Sequence, residues 1–407
     1  MKSAAENGKI RGMKVPQLPD NERCCGCGAC RASCPMGAIA LLPDEEGFLQ
    51  PVVDAAKCVK CGKCEAVCPV LHPGRSRKPL AAYAAKAKDD ELRWGSASGG
   101  VFTVLAQDVL GRGGVVFGAG FERPTWRVVH KAATNEGELD DLRGSKYVQS
   151  DTGDTFKEAK SYLDAGREVL YSGCPCQIAA LKNFLGRDYP NLLTVDLICH
   201  GVPSPLVWRK YLDCREKEAG AKISRILARR YCAWQEFAIS FEFSNSKEIA
   251  YCKSWSGDNF IQGYFAYWFL RWSCHKCKFR MATRLSDVTI GDYMLINTVS
   301  PDFADDKGVS MFTVNSEQGL SVLSIILQHC TTVSLDYNRA MRDNHPIVKN
   351  PKPSRLRQDF FRGLSVQDYD TTFSDLHDRR ATSLVYHFAW WIKRLVVNCE
   401  LNRFKFR

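Results

Sequence analysis

Along the chain the apolar positions change period several times, and each change marks an element. Phe102, Leu105 and Val109 share one helical face; Gly111, Gly113 and Gly114 then close that helix, and 115–117 opens a strand. Residues 168–172 read as a strand, 177–185 as a helix and 192–198 as another strand. Strand–helix–strand is the βαβ signature, so a parallel sheet is expected. Further on, Phe237, Ile239, Phe241 and Phe243 alternate, a polar Asn245-Ser246-Lys247 turn follows, and Ile249 and Tyr251 resume the alternation, which predicts an antiparallel portion. A short alternation over 288–290 runs into Gly291-Asp292, and the aromatic run 260–272 reads as core packing that leads into Cys274. The expected fold is an α/β catalytic domain over 80–340 with an added antiparallel β portion. Ahead of it lie a tail (1–20), a small α+β unit (21–72) and a linker, His72 to Pro79; a basic helical extension (345–407) follows it.

Composition narrows the class. The chain has 407 residues, 45% hydrophobic and 25% charged, a length that predicts two or three domains. A mean hydropathy of −0.26 excludes a fibrous, disordered or polytopic membrane protein, and apolar runs stay below the ~20 residues that span a bilayer. The N-terminal stretch lacks the apolar core of a secretory signal, so the expected location is cytoplasmic. The cytosol keeps thiols reduced, so the 19 cysteines point to metal ligation rather than disulfides.

Their spacing says which metal centre. Cys24, Cys27, Cys30 and Cys34-Pro35 recur as Cys58, Cys61, Cys64 and Cys68-Pro69, each shifted by the same interval. In such runs three cysteines face one 4Fe–4S cube and the fourth crosses to the other. Cluster one would use Cys24, Cys27, Cys30 and Cys68, and cluster two Cys58, Cys61, Cys64 and Cys34. Structural zinc or a module that has lost its clusters are the competing readings, and Cys25 is surplus. This stretch resembles the bacterial two-cluster ferredoxins.

A second set is dispersed: Cys174-Pro175-Cys176, Cys199, and Cys274-x2-Cys277. If the strands before Cys176 and Cys199 are parallel, their carboxyl ends share one sheet edge, where open α/β sheets bind ligands. A Cys-x2-Cys segment could complete a third quartet there; buried free thiols are the alternative.

The stretches WGSASGGVFTVL, GSKYVQS, SGCPCQIAALK, DLICHGVPSP and CHKCKFRMATRLSDVTIGDY occur in that order. Together they resemble the coenzyme F420 hydrogenase/dehydrogenase beta-subunit family over roughly residues 80–300. The resemblance implies an iron–sulfur flavoprotein oxidoreductase with a third 4Fe–4S cluster on Cys176, Cys199, Cys274 and Cys277, and FAD. Cys174 stands where many members have threonine. It implies cofactor contacts from Ser96, Ser98, Gly99, Gly100, Lys146, Tyr147, Gly173, Gln177, Gly291 and Asp292. The Ser/Gly-rich start of a helix at 96–100 also suits a pyrophosphate, and Lys146 could stabilise negative charge on a reduced ring. His200 and His275, beside proposed ligands, are expected to hydrogen-bond around the cluster rather than ligate.

The expected electron donors or acceptors are a protein such as ferredoxin, a reduced nicotinamide or a deazaflavin; a non-catalytic subunit serving a separate enzyme is the alternative. The net charge of +11 suggests nucleic acid at first. Three clusters of charge about −2 each and a flavin dinucleotide near −2 would bring it to about +3, so no nucleic-acid partner is expected. Leu384, Phe388, Trp391, Ile392 and Leu395 form one apolar stripe beside basic residues, fitting a partner subunit or a membrane surface through 384–407, or packing on its own domain.

Overall fold

The structure is a computed structural model that describes residues 15–233, 236–246, 249–305, 307–343 and 349–381. Most of the expected N-terminal tail, Lys247 of the polar turn and the apolar stripe within 384–407 lie outside the described residues.

The cysteine-rich unit is a hairpin of β1 (Ile39–Pro43) and β2 (Leu49–Val53) with two short helices, Ala29–Ser33 and Lys63–Ala66. Its internal repeat persists in the backbone. Gly28 (φ 78°) and Gly62 (φ 72°) cap the two helices in the left-handed conformation, which suits a residue without Cβ.

The remaining strands are β3 (Ala81–Ala87), β4 (Val115–Glu122), β5 (Arg127–Ala133), β6 (Val169–Gly173), β7 (Leu192–Leu197), β8 (Ile223–Ala233), β9 (Glu236–Phe243), β10 (Ile249–Ser254), β11 (Val288–Asp292), β12 (Ser310–Val314) and β13 (Cys330–Ser334). The main sheet runs β13-β3-β12-β11-β7-β6-β4-β5. Among these described strands, only β4, β6, β7 and β11 pair in parallel; β5, β12, β3 and β13 join antiparallel. The sheet is therefore mixed, not the parallel one expected. The β4–β5 connection shows why: it is too short for a crossover, so the chain must return antiparallel. β6 is buried along its whole length and β7 all but its last residue, as parallel strands covered on both faces are. The crossover helix between them, Pro175–Leu185, starts on a proline and ends on left-handed Gly186.

β8, β9 and β10 form the separate antiparallel sheet that the 237–251 alternation predicted. Its apolar face packs with Phe260, Trp268 and Phe269 of the aromatic run in one core. Helices Arg357–Val366 and Tyr369–Ala381 enter the same core through Phe360, Tyr369 and Phe373.

Candidate redox site

In the cysteine-rich unit Cys34 reaches across to Cys58, Cys61 and Cys64, and the four line one small cavity with Pro35, Met36 and Val59. The other four stand at the inner end. Cys30 feels the charges of Cys24 and Cys68, and Cys27 that of Cys30. Burial pushes the Cys30 thiol up to about 12. Ligation by these thiols would therefore release protons, coupling metal binding to pH. The two quartets differ in setting: Cys24, Cys27 and Cys68 are buried, whereas Cys61 is exposed.

The inner end is fastened to the α/β domain. Arg271, fully buried, donates from Nε to Cys24 O (2.6 Å), from Nη1 to Gln149 Oε1 (3.0 Å) and from Nη2 to Leu49 O and Gln50 Oε1 (both 3.0 Å). Gln149 Nε2 donates to Cys25 O at 3.0 Å and Thr152 Oγ1 to Cys27 O at 2.9 Å. Arg357 and Glu46 form an ion pair across the same junction. Sequence reading missed all of these; the one available signal was Arg271 itself, a charge inside an otherwise apolar aromatic run.

Against this inner end lies a cavity of about 220 Å³ at the carboxyl edge of the sheet. Cys174, Cys176, Cys199, Cys274, Cys277 and Cys25 all line it. Sγ of Cys174 and Cys199 are 3.9 Å apart, and Cys174 also feels the charges of Cys274 and Cys277. The Cys176 thiol instead hydrogen-bonds to that of Cys25. Cys174 caps the crossover helix while its backbone N–H donates to Gln177 Oε1 at 2.9 Å. The hydrogen bond from Cys174 holds Cys199 down to about 6, and burial pushes Cys274 up to about 12. Arg23, Lys276, Lys278, Arg280 and Arg284 complete the rim, cations that suit a centre of net negative charge. Buried Asp196 stands 4.0 Å from Arg284. Among the described residues no three Cys, His, Asp or Glu side chains converge on a single-ion site; a cube gives each of its four irons one thiolate and needs a wider ring.

Of the two histidines, His275 donates from Nδ1 to Pro351 O (2.9 Å), while His200 lies edge-on to Phe265. The expected flavin contacts spread along the same sheet edge. Gly99 is pressed against the strand ends: a Cβ there would stand 2.1 Å from Ala85 O and 2.6 Å from Ser310 N, and Ser310 pairs with Asp292. Gly291 abuts Ile198. Ser96 is tied to Leu92 O and Thr103 Oγ1, both at 2.8 Å, whereas Ser98 Oγ is buried without a partner. Gly100 caps helix Val101–Gly111. Lys146 Nζ donates to Arg143 O (2.7 Å), and burial lowers its pKa to about 7. Tyr147 packs between Phe237 and Tyr264, and Gly173 lies beside Gln177, whose Nε2 donates to Ser150 Oγ (3.0 Å).

Two ferredoxin-type quartets in a small α+β unit, seated on the ligand-binding edge of an α/β domain, define the class: an iron–sulfur protein of the oxidoreductase type. Comparison with known proteins gives the family. Residues 82–157 match the N-terminal domain, and residues 166–335 the C-terminal domain, of the family described as the beta-subunit family of coenzyme F420 hydrogenase/dehydrogenase; 23–71 match the "4Fe-4S dicluster domain". The chain belongs to the coenzyme F420 hydrogenase/dehydrogenase beta-subunit family, with a two-cluster ferredoxin module ahead of the family domain. It is 26% identical over 202 residues to the F-type component of the F(420)H(2) dehydrogenase of Methanosarcina mazei, a match spanning 46% of this chain and 56% of that relative. A solved structure described as "Xenon derivatization of the F420-reducing [NiFe] hydrogenase complex from Methanosarcina barkeri" aligns with 76% of this chain and 95% of its own, at 16% identity and a TM-score of 0.45. No helix among the described residues is long and apolar enough to cross a membrane.

Proposed function

We propose that this chain is an iron–sulfur flavoprotein oxidoreductase serving electron transfer between two ferredoxin-type clusters, a third 4Fe–4S cluster and FAD. One observation carries the reading: the inner ferredoxin quartet abuts the cysteine-lined cavity at the sheet edge. When bound, such clusters exchange single electrons and a flavin converts between one- and two-electron transfer.

Cys24, Cys27, Cys30 and Cys68 hold the inner cluster, and Cys34, Cys58, Cys61 and Cys64 the outer one. For the third, the contacts favour Cys174, Cys199, Cys274 and Cys277, exchanging Cys174 for the Cys176 assigned from the sequence. The physical reason is the helix start: Cys174 turns towards Cys199, while Cys176, two residues on, turns towards Cys25. For FAD, the unpartnered Ser98 Oγ and the Gly99–Gly100 approach supply a cradle, and Lys146, titrating near neutrality, can carry or release a positive charge. A second reading, an electron-transfer subunit for a separate enzyme, draws support from exposed Met36 and Val59 beside the outer quartet, an apolar surface suited to a partner.

Anaerobically purified protein should contain about 12 irons, four per cube, and should release FAD. Cys274→Ser with Cys277→Ser should lower iron to about 8 and abolish flavin bleaching driven by reduced ferredoxin, while a direct hydride donor still bleaches it. A double variant that keeps its iron and its ferredoxin-driven rate defeats the third cluster; release of FMN or no chromophore defeats the flavin assignment. A catalytic chain turns over small acceptors alone, whereas the subunit reading requires an added protein.

A further inference from the structure

We propose that Cys25 and Cys176 form a redox-active thiol pair, a disulfide-forming site bridging the ferredoxin module and the α/β domain. The inference rests on the quartet assignment above, which leaves these two cysteines at the junction without an iron to bind. They come from different units: Cys25 precedes helix Ala29–Ser33, and Cys176 lies in the first turn of helix Pro175–Leu185. Their thiols are in hydrogen-bonding contact, the approach that precedes S–S bond formation. Both line the 220 Å³ cavity, Cys25 buried and Cys176 partly exposed, so a small reagent meets Cys176 first.

The oxidant class is a low-molecular-weight disulfide. The Cys176 thiolate attacks one of its sulfurs and expels one thiolate; the Cys25 thiolate then attacks Cys176 Sγ and expels the second. The two thiol protons pass to the two released thiolates, so the protein loses two electrons and the reagent gains them. The cationic rim of Lys276, Lys278 and Arg280 favours an anionic disulfide. The product is a covalent tie beside the Gln149 and Arg271 contacts that otherwise hold this junction.

The test exposes the anaerobic, iron-loaded full chain to oxidised glutathione, followed by thiol counting, non-reducing peptide mapping and iron analysis. The expected result is loss of about two thiols per chain, a Cys25–Cys176 cross-linked peptide reversed by dithiothreitol, and unchanged iron. Cys176→Ala should keep wild-type iron and lose the cross-link; Cys25→Ala should keep its iron and stop at a glutathione adduct on Cys176. Wild-type protein that retains its thiols, or cross-links elsewhere, overturns the proposal. So does loss of about four irons in Cys176→Ala, which would make Cys176 a ligand. A wild type with only about eight irons that still forms the cross-link supports the pair and sinks the third cluster alone.

Discussion

His130, on β5, stacks on Tyr171 and donates from Nε2 to Ser172 O at 3.1 Å. Burial lowers its pKa from 6.5 to about 4. Above pH 6.5 neither the folded nor the unfolded chain protonates it. As pH falls from 6.5 towards 4 the unfolded chain takes the proton and the folded one refuses it, so stability is lost, by up to about 3 kcal/mol. His130→Gln, which keeps an N–H for Ser172 O, should flatten that acid slope in urea unfolding at pH 7 and pH 4.5. Ser98 offers a cleaner probe of the flavin cradle than the neighbouring glycine, whose substitution would strike the Ala85 carbonyl. With no partner for its buried Oγ, Ser98→Ala should leave the melting temperature within a degree or two of wild type and lower FAD occupancy. Unchanged occupancy would remove Ser98 from the cradle. Neither behaviour is legible in the sequence, because a histidine or serine acquires its environment only from neighbours distant along the chain.

At the scale of elements, the two halves of the ferredoxin repeat have the same local fold and opposite surroundings. A Cβ on Gly28 would stand 2.5 Å from Thr152 Oγ1, whereas one on Gly62 meets nothing within 4 Å. Arg271 fixes that asymmetry by bonding the inner loop and β2 at once. Arg271→Met should destabilise the fold by about 3–5 kcal/mol, since it strands several buried acceptors. It should also slow ferredoxin-driven flavin reduction more than reduction by a direct hydride donor. Equal slowing of both would make the residue merely structural. The period of the apolar pattern announced the βαβ unit and the antiparallel sheet; it carried no sign of this arginine's four bonds.

For the whole molecule, the exposures of the quartets set an order: Cys61 outermost, Cys24 and Cys27 buried at the junction, and the edge cavity beyond them. Cys58→Ser with Cys61→Ser should remove about four irons, leave the inner and edge clusters in the paramagnetic resonance spectrum, and cut electron entry from protein donors at least tenfold. Undiminished entry would place the donor surface elsewhere. The cationic rim of the edge cavity also fits the charge accounting, with basic side chains gathered where bound centres are negative.

By itself the sequence determined the ferredoxin module, its cross-over ligand pattern and the family. Cluster ligation needs a fixed residue type at a fixed short spacing, and so it is written locally. It determined the α/β edge as the place for the dispersed cysteines, because a short crossover leaves few topologies. Tertiary structure alone decided that the sheet is mixed. It also set Cys174 beside Cys199 and Cys176 beside Cys25, and turned one ferredoxin quartet inward. Those outcomes depend on the direction of side chains on a helix turn and on docking between segments hundreds of residues apart, and no local pattern encodes either.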